Sequence, residues 1–130
     1  MDVNKVILLG RLTNDPQVKK MKSGVSVCRS GLATNMFWKN IKTKKTETSV
    51  EFHNLVFWGK LAEVAEKYLK KGDKVYTEGR IHSSVWEGSK GEKNHRTEII
   101  VKELVMLGEK KKEDQNKETA VEEIVIDEEE

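Results

Sequence analysis

The sequence predicts an all-β domain: a five-stranded barrel with one helix between its third and fourth strands, followed by a disordered acidic tail. Three observations carry this reading. Apolar, β-branched runs of strand length recur through residues 1–108, bounded by polar turns that contain Gly. A helical period occurs in one segment only, from Leu61 to Lys71. After Gly108 the character changes, and Glu109 to Glu118 is almost wholly charged or amide.

The elements follow in order. Val3 to Leu12 is apolar, branched and the right length for a strand, and Gly10 within it suggests a bulge or close packing. Pro16 sits in an Asn-Asp-Pro turn, and Val18 to Met21 fits a short edge strand among lysines. Ser23-Gly24 is a hairpin turn leading to a second main strand, Val25 to Thr34. Lys39 to Thr46 is basic and polar and reads as a long exposed loop. The third main strand covers Glu47 to Trp58. Within it Phe52, Asn54, Val56 and Trp58 share one face, while His53, Leu55 and Phe57 share the other. Leu61, Val64, Ala65, Tyr68 and Leu69 form one helical stripe, and Gly72 suits the residue after a helix end. Lys74 to Trp86 is the fourth strand, and Glu87 to Glu92 is a flexible hairpin connection. Arg96 to Val101 is the last main strand, with Leu104 to Leu107 a short finishing one. Strand, strand, strand, helix, strand, strand is the layout of an OB-fold barrel.

The net charge of +2 conceals an asymmetry. Residues 109–130 hold four Lys against ten acids, a net of −6, which leaves residues 1–108 at +8. A basic body suggests a polyanionic partner. The tail lacks the apolar surface needed to order itself. The chain therefore divides into a domain over 1–108 and a disordered acidic tail over 109–130. Cys28 is the single cysteine, so an intrachain disulfide and Cys-rich metal sites are excluded, and a small buried side chain is its expected role. No apolar signal region or membrane-length span is present, which predicts a cytoplasmic protein.

Catalytic chemistry finds no support. His53, His82 and His95 fall on different elements without ligand spacing, and no nucleophile elbow, phosphate-binding loop or dinucleotide fingerprint occurs. No metal site and no cofactor is expected. The pattern that does emerge is aromatic and basic. Trp38 lies just past the second strand beside Phe37 and Lys39, Phe52 and Trp58 share a strand face, and Trp86 ends the fourth strand. Rings at strand ends beside Lys-rich loops suit a surface that stacks bases and tracks a phosphate backbone. Lys5, Arg11, Lys39, Lys60 and Arg80 are the candidate charge contacts. From the residues alone such a face fits single-stranded DNA, RNA or a protein partner, because stacking and charge do not read the 2′-OH.

The chain also resembles the bacterial single-stranded DNA-binding proteins. The resemblance is carried by Asn4-Lys5-Val6-Ile7-Leu8-Leu9-Gly10-Arg11-Leu12, Leu32-Ala33-Thr34-Asn35, Glu51-Phe52-His53, Phe57-Trp58-Gly59-Lys60-Leu61-Ala62-Glu63, Tyr68-Leu69-Lys70-Lys71-Gly72, the Val75 to Arg80 segment, Trp86, Thr97-Glu98-Ile99 and Met106-Leu107-Gly108. It implies an OB fold, usually a homotetramer, that binds single-stranded DNA without sequence preference in replication, recombination and repair, and a nucleoid-associated location. It assigns base stacking to Trp38 and Trp86. Phe52 stands where many members have Trp, and Trp58 where many have Phe. His53 matches a histidine associated with the subunit interface, and a plain buried, hydrogen-bonded histidine is the other reading of it.

Three departures stand out. Asn54 replaces a frequent Arg, and His82-Ser83-Ser84-Val85 replaces a stretch commonly rich in Arg and Lys, which predicts a less positive binding face and a shallower salt dependence. Ser30 and Gly31 replace residues that are usually larger. The tail is acidic, as in the family, where it docks replication and repair proteins, but it ends in Glu128-Glu129-Glu130 with no Pro-Phe tip. Truncation, a divergent hook built on Ile124, Val125 and Ile126, and a solvated tail that only competes electrostatically for the DNA groove are the three readings of that tip.

Overall fold

A computed structural model of the chain describes residues 1–108 and, for the backbone alone, 120–125. Strands β1 (Val6–Leu12), β2 (Gln17–Lys20), β3 (Ser26–Lys39) and β4 (Thr46–Trp58) precede helix α1 (Lys60–Tyr68). Strands β5 (Lys74–Glu87), β6 (Lys93–Gly108) and β7 (Ala120–Val125) follow it.

Five strands close into the expected barrel, in the order β1-β5-β6-β4-β3 and back to β1. The β4–β6 pair is parallel and the others are antiparallel. Closure rests on the narrow β1–β3 seam, where Arg11 faces Ala33 and Leu12 faces Leu32. Gly10 makes the seam possible, since a Cβ there would overlap the Ala33 carbonyl oxygen. The sequence reading of close packing at Gly10 holds.

Leu12, Cys28, Leu32, Leu55, Phe57, Val75, Ile99, Val101 and Leu104 fill the interior, and α1 plugs one end with Leu61, Ala62 and Ala65. The helix ends at Tyr68 rather than Lys71, because Leu69 is already extended and the Lys70 N–H is taken by the Asp73 carboxylate at 2.9 Å. Tyr68, placed on the apolar stripe by its spacing, is half exposed, and Ala62 takes its place in the core. Glu66 and Glu63 tie the helix to the sheet by accepting from the Val18 N–H and the Ser26 hydroxyl.

Three further departures from the sequence reading shape the surface. β3 continues to Lys39, five residues past Thr34, so that β3 and β4 run on as a paired ribbon and the loop shrinks to residues 40–45. The expected strands at 96–101 and 104–107 are one strand, β6, broken by a bulge at which Glu78 faces Glu103 while Gly79 faces Val101. The extra residue switches the inward parity from Ile99 and Val101 to Leu104 and Met106. Finally, Ala120–Val125, assigned to a disordered tail, forms an antiparallel strand on β6 opposite residues 103–108. Its β-branched residues suit a strand, and β6 offers an unpaired backbone edge beyond its short pairing with β4. The rest of the tail reading, over 109–119 and 126–130, lies outside the described residues.

Candidate nucleic-acid interface

The register decides which rings share a surface. Cys28, Leu32, Leu55 and Phe57 point into the barrel, so the alternate residues on the same strands point outward. On β4 these are Phe52, Asn54, Val56 and Trp58, and on β3 they are Val27, Arg29, Gly31 and Ala33. The parallel pairs Leu55–Ile99 and Val56–Ile100 carry the alternation onto β6, where Glu98 and Ile100 face outward. From there the β5 register brings Arg80, His82, Ser84 and Trp86 onto the same face. One continuous sheet surface across β3, β4, β6 and β5 therefore presents Phe52, Trp58 and Trp86.

The rings differ in exposure. Phe52 is 73% exposed and Trp86 48%, while Trp58 is half-buried beside Val27 at the start of α1. Phe57, one residue before Trp58, is fully buried. The same strand thus supplies a core ring and two outward rings, as its alternation predicts. Trp38 is 44% exposed but belongs to the opposite side of the β3–β4 ribbon, because the register runs unbroken from Val27–Trp58 to Lys39–Thr46. Phe37, 66% exposed, is the ring of that segment that shares the face of Phe52, as Asn35 and Lys39 also do, with Val50 between the two rings on the partner strand. With the second strand ending at Thr34, the sequence places Phe37 beside Trp38 but gives it no face and no stacking role. The signal lay in its odd number, in phase with Ala33 and Asn35.

The candidate cations separate. Lys39 lies at the ribbon tip next to Trp38, Lys60 opens α1 two residues after Trp58, and Arg80 is exposed on β5 opposite Ile100, in line with Trp86. Lys5 lines one cleft with Arg80 and Ile100, at the edge of this face, whereas Arg11 lies elsewhere on the barrel. The Lys5 ammonium is 2.9 Å from Glu78, whose hydrogen bond and charge hold it above its ordinary pKa. Arg11 donates to the Gly72 carbonyl at 3.0 Å, beside Lys74 at the far end of β5 from Trp86.

Two cations that the sequence reading passed over lie on the aromatic face. Arg29 on β3 and Arg96 on β6 both hold Glu98, with Nε to Oε2 distances of 3.0 and 3.1 Å. They stand on the same surface as Asn54 and His82–Val85, where the sequence departs from the Arg- and Lys-rich pattern of the family. Asn54 itself donates to the Thr97 carbonyl at 3.3 Å and so ties β4 to β6. His53 points away from Phe52, is half-buried, and is hydrogen-bonded through Nε2 to the Thr34 hydroxyl at 2.9 Å. Among the described residues no group of His, Cys, Asp and Glu is arranged to hold a metal ion, and no helix is long and apolar enough to cross a membrane.

Comparison with known proteins gives this surface its context. Residues 3–107 match the model of the single-strand binding protein family. The chain belongs to that family. It is 41% identical over 115 residues to single-stranded DNA-binding protein 1 of Xylella fastidiosa, covering 88% of this chain and 83% of that one. It is 44% identical over 108 residues to the single-stranded DNA-binding protein of Neisseria meningitidis serogroup A, covering 83% of this chain but 62% of that longer protein. Among solved structures, the Plasmodium falciparum SSB in complex with ssDNA superposes with a TM-score of 0.74 at 31% identity, over 83% of this chain and 97% of that one. Membership in the single-strand binding protein family makes this a DNA-binding protein rather than an enzyme.

Proposed function

We propose that this chain binds and protects single-stranded DNA, with little regard to sequence, during replication, recombination and repair. The observation that carries the reading is the outward face of β3, β4, β6 and β5, where Phe52, Trp58 and Trp86 stand among arginines in a member of the single-strand binding family. Bases stack on the rings and phosphates meet the cations. Trp38, on the other side of the ribbon, extends the path around its edge, and Lys39 at the ribbon tip lies on the side of Phe37. Lys60 and Arg80 supply backbone contacts along the face. Lys5 and Arg11 serve a strand that continues around the barrel.

The working form is a homotetramer. The open edge of β1 over Val6–Gly10 and the exposed Ile7 and Leu9 support self-association, and His53 is the interface residue on the side away from Phe52. Replication and repair proteins dock on the acidic tail, and the protein works in the cytoplasm on the nucleoid.

The test is tryptophan fluorescence during addition of oligo(dT), with duplex DNA and oligo(U) as controls, at two salt concentrations. Strong quenching by oligo(dT) that weakens with salt is the expected result. Equal quenching by oligo(U) would make it a general single-strand binder. No quenching of the folded protein by any of them would refute the proposal.

A further inference from the structure

Glu98 is an anomaly on a surface meant for a polyanion. Its side chain is 8% exposed, and it stands on the outward face between the rings of β4 and Trp86 of β5. A carboxylate that deep requires compensation. Arg29 reaches it from β3 and Arg96 from its own strand, both through Nε to the same oxygen, Oε2. Arg29 faces Val56, which lies on the strand between it and β6. Val56 is only 1% exposed although it points outward, which fits an arginine stem laid across it.

A guanidinium carries five N–H donors in a rigid planar fork. When Nε is committed to Glu98, the fork can no longer swing, and its orientation on the sheet is fixed. The two side chains remain 46% and 45% exposed, so part of each fork still faces solvent. Two cations and one anion leave the cluster a net positive charge with its donors already oriented.

We propose that Arg29 and Arg96 contact the phosphates of the bound strand and that Glu98 is a positioning residue holding both guanidiniums ready. The assignment rests on the single-stranded DNA reading above and adds to it a site in the middle of the face. It makes a prediction opposite in sign to charge accounting. Removing a carboxylate from a DNA-binding face should tighten binding if only net charge matters. If Glu98 aims the two arginines, removing it should weaken binding instead.

The experiment is oligo(dT) titration of the full chain across a salt series, for the wild type, R29Q, R96Q, E98Q, R29Q/R96Q and R29Q/R96Q/E98Q, with thermal melts as a folding check. R29Q and R96Q should each lower the log–log salt slope by about 0.7, the share of one phosphate on a single strand. Their quenching at saturation should be unchanged, since the rings are intact. E98Q should bind several-fold more weakly, and that loss should vanish when E98Q is added to R29Q/R96Q. Unaltered slopes in both arginine variants, or tighter binding by E98Q, would overturn the assignment. If E98Q does not fold, the slopes of R29Q and R96Q decide the matter alone. Absence of quenching in the wild type refutes the DNA reading itself, and the assignment with it.

Discussion

Replacing Phe52 by Ala separates binding from folding. The ring is 73% exposed and pairs across the sheet with Ala33, so little buried area is lost and folding stability should change by less than about 0.5 kcal/mol. If one base stacks on it, binding should weaken by about 1–3 kcal/mol. At 1.4 kcal/mol per tenfold, this is about a 5- to 150-fold rise in Kd. Phe57→Ala is the built-in contrast. That ring is five residues along the same strand but fully buried, so its loss should cost about 3–5 kcal/mol of stability. Anisotropy of a labelled oligo(dT) reads the first effect and urea denaturation the second. An F52A protein that melts normally and binds within twofold of wild type would refute the argument that outward rings on β4 stack bases.

Other expectations can be checked with equally simple measurements. Gly10→Ala should cost about 1–3 kcal/mol in urea titration, because the new Cβ collides with the Ala33 carbonyl at the barrel seam; an unchanged midpoint would mean that the seam yields freely. The Cys28 thiol is fully buried, and burial pushes its pKa up to about 11, with Glu66 adding to the rise and a Gln17 backbone hydrogen bond opposing it. Iodoacetamide should therefore spare it at pH 8 in the native protein and modify it in urea. Because the folded value lies above the unfolded one, the stability tied to this thiol is present at neutral pH and fades as pH climbs toward 11, a loss that Cys28→Ala should abolish. Deleting residues 109–130 takes the net charge from +2 to +8, so oligo(dT) affinity should rise at low salt and converge with the full chain at high salt; equal affinity at low salt would count against the tail as a competitor for the groove.

What the sequence made legible, and what it hid, follows from the range of each signal. Alternation from Phe52 to Trp58 is local, and it correctly separated the buried Phe57 from the outward Phe52 and Trp58. The helix was visible because its period contrasts with everything around it. Asn35 to Lys39 was not readable as strand, since every residue there is exposed and no apolar–polar contrast marks a face. The bulge in β6 broke one strand into two apparent runs by shifting its inward parity. Arg29, Arg96 and Glu98 were invisible as a group because β3 and β6 meet only through β4, a juxtaposition that exists in the sheet and not along the chain.

The two strand pairs that outrun the barrel have a consequence for motion. Beyond Ala33–Phe52 and beyond Ile81–Ile99, each is a two-stranded ribbon with no third strand against it among the described residues, yet these segments carry Phe37, Trp38 and Trp86. A ribbon of two strands is marginal by itself in water. Amide hydrogen exchange should therefore be slow around Leu55 and Phe57 and quicken toward Lys39 and Glu87. A bound ligand that bridged both ribbons would slow that exchange at the tips, and the ordering it imposed there would subtract from the affinity gained by stacking. Phe37, Trp38 and Trp86 thus stand on arms that the barrel does not brace, whereas Phe52 and Trp58 stand on the barrel itself.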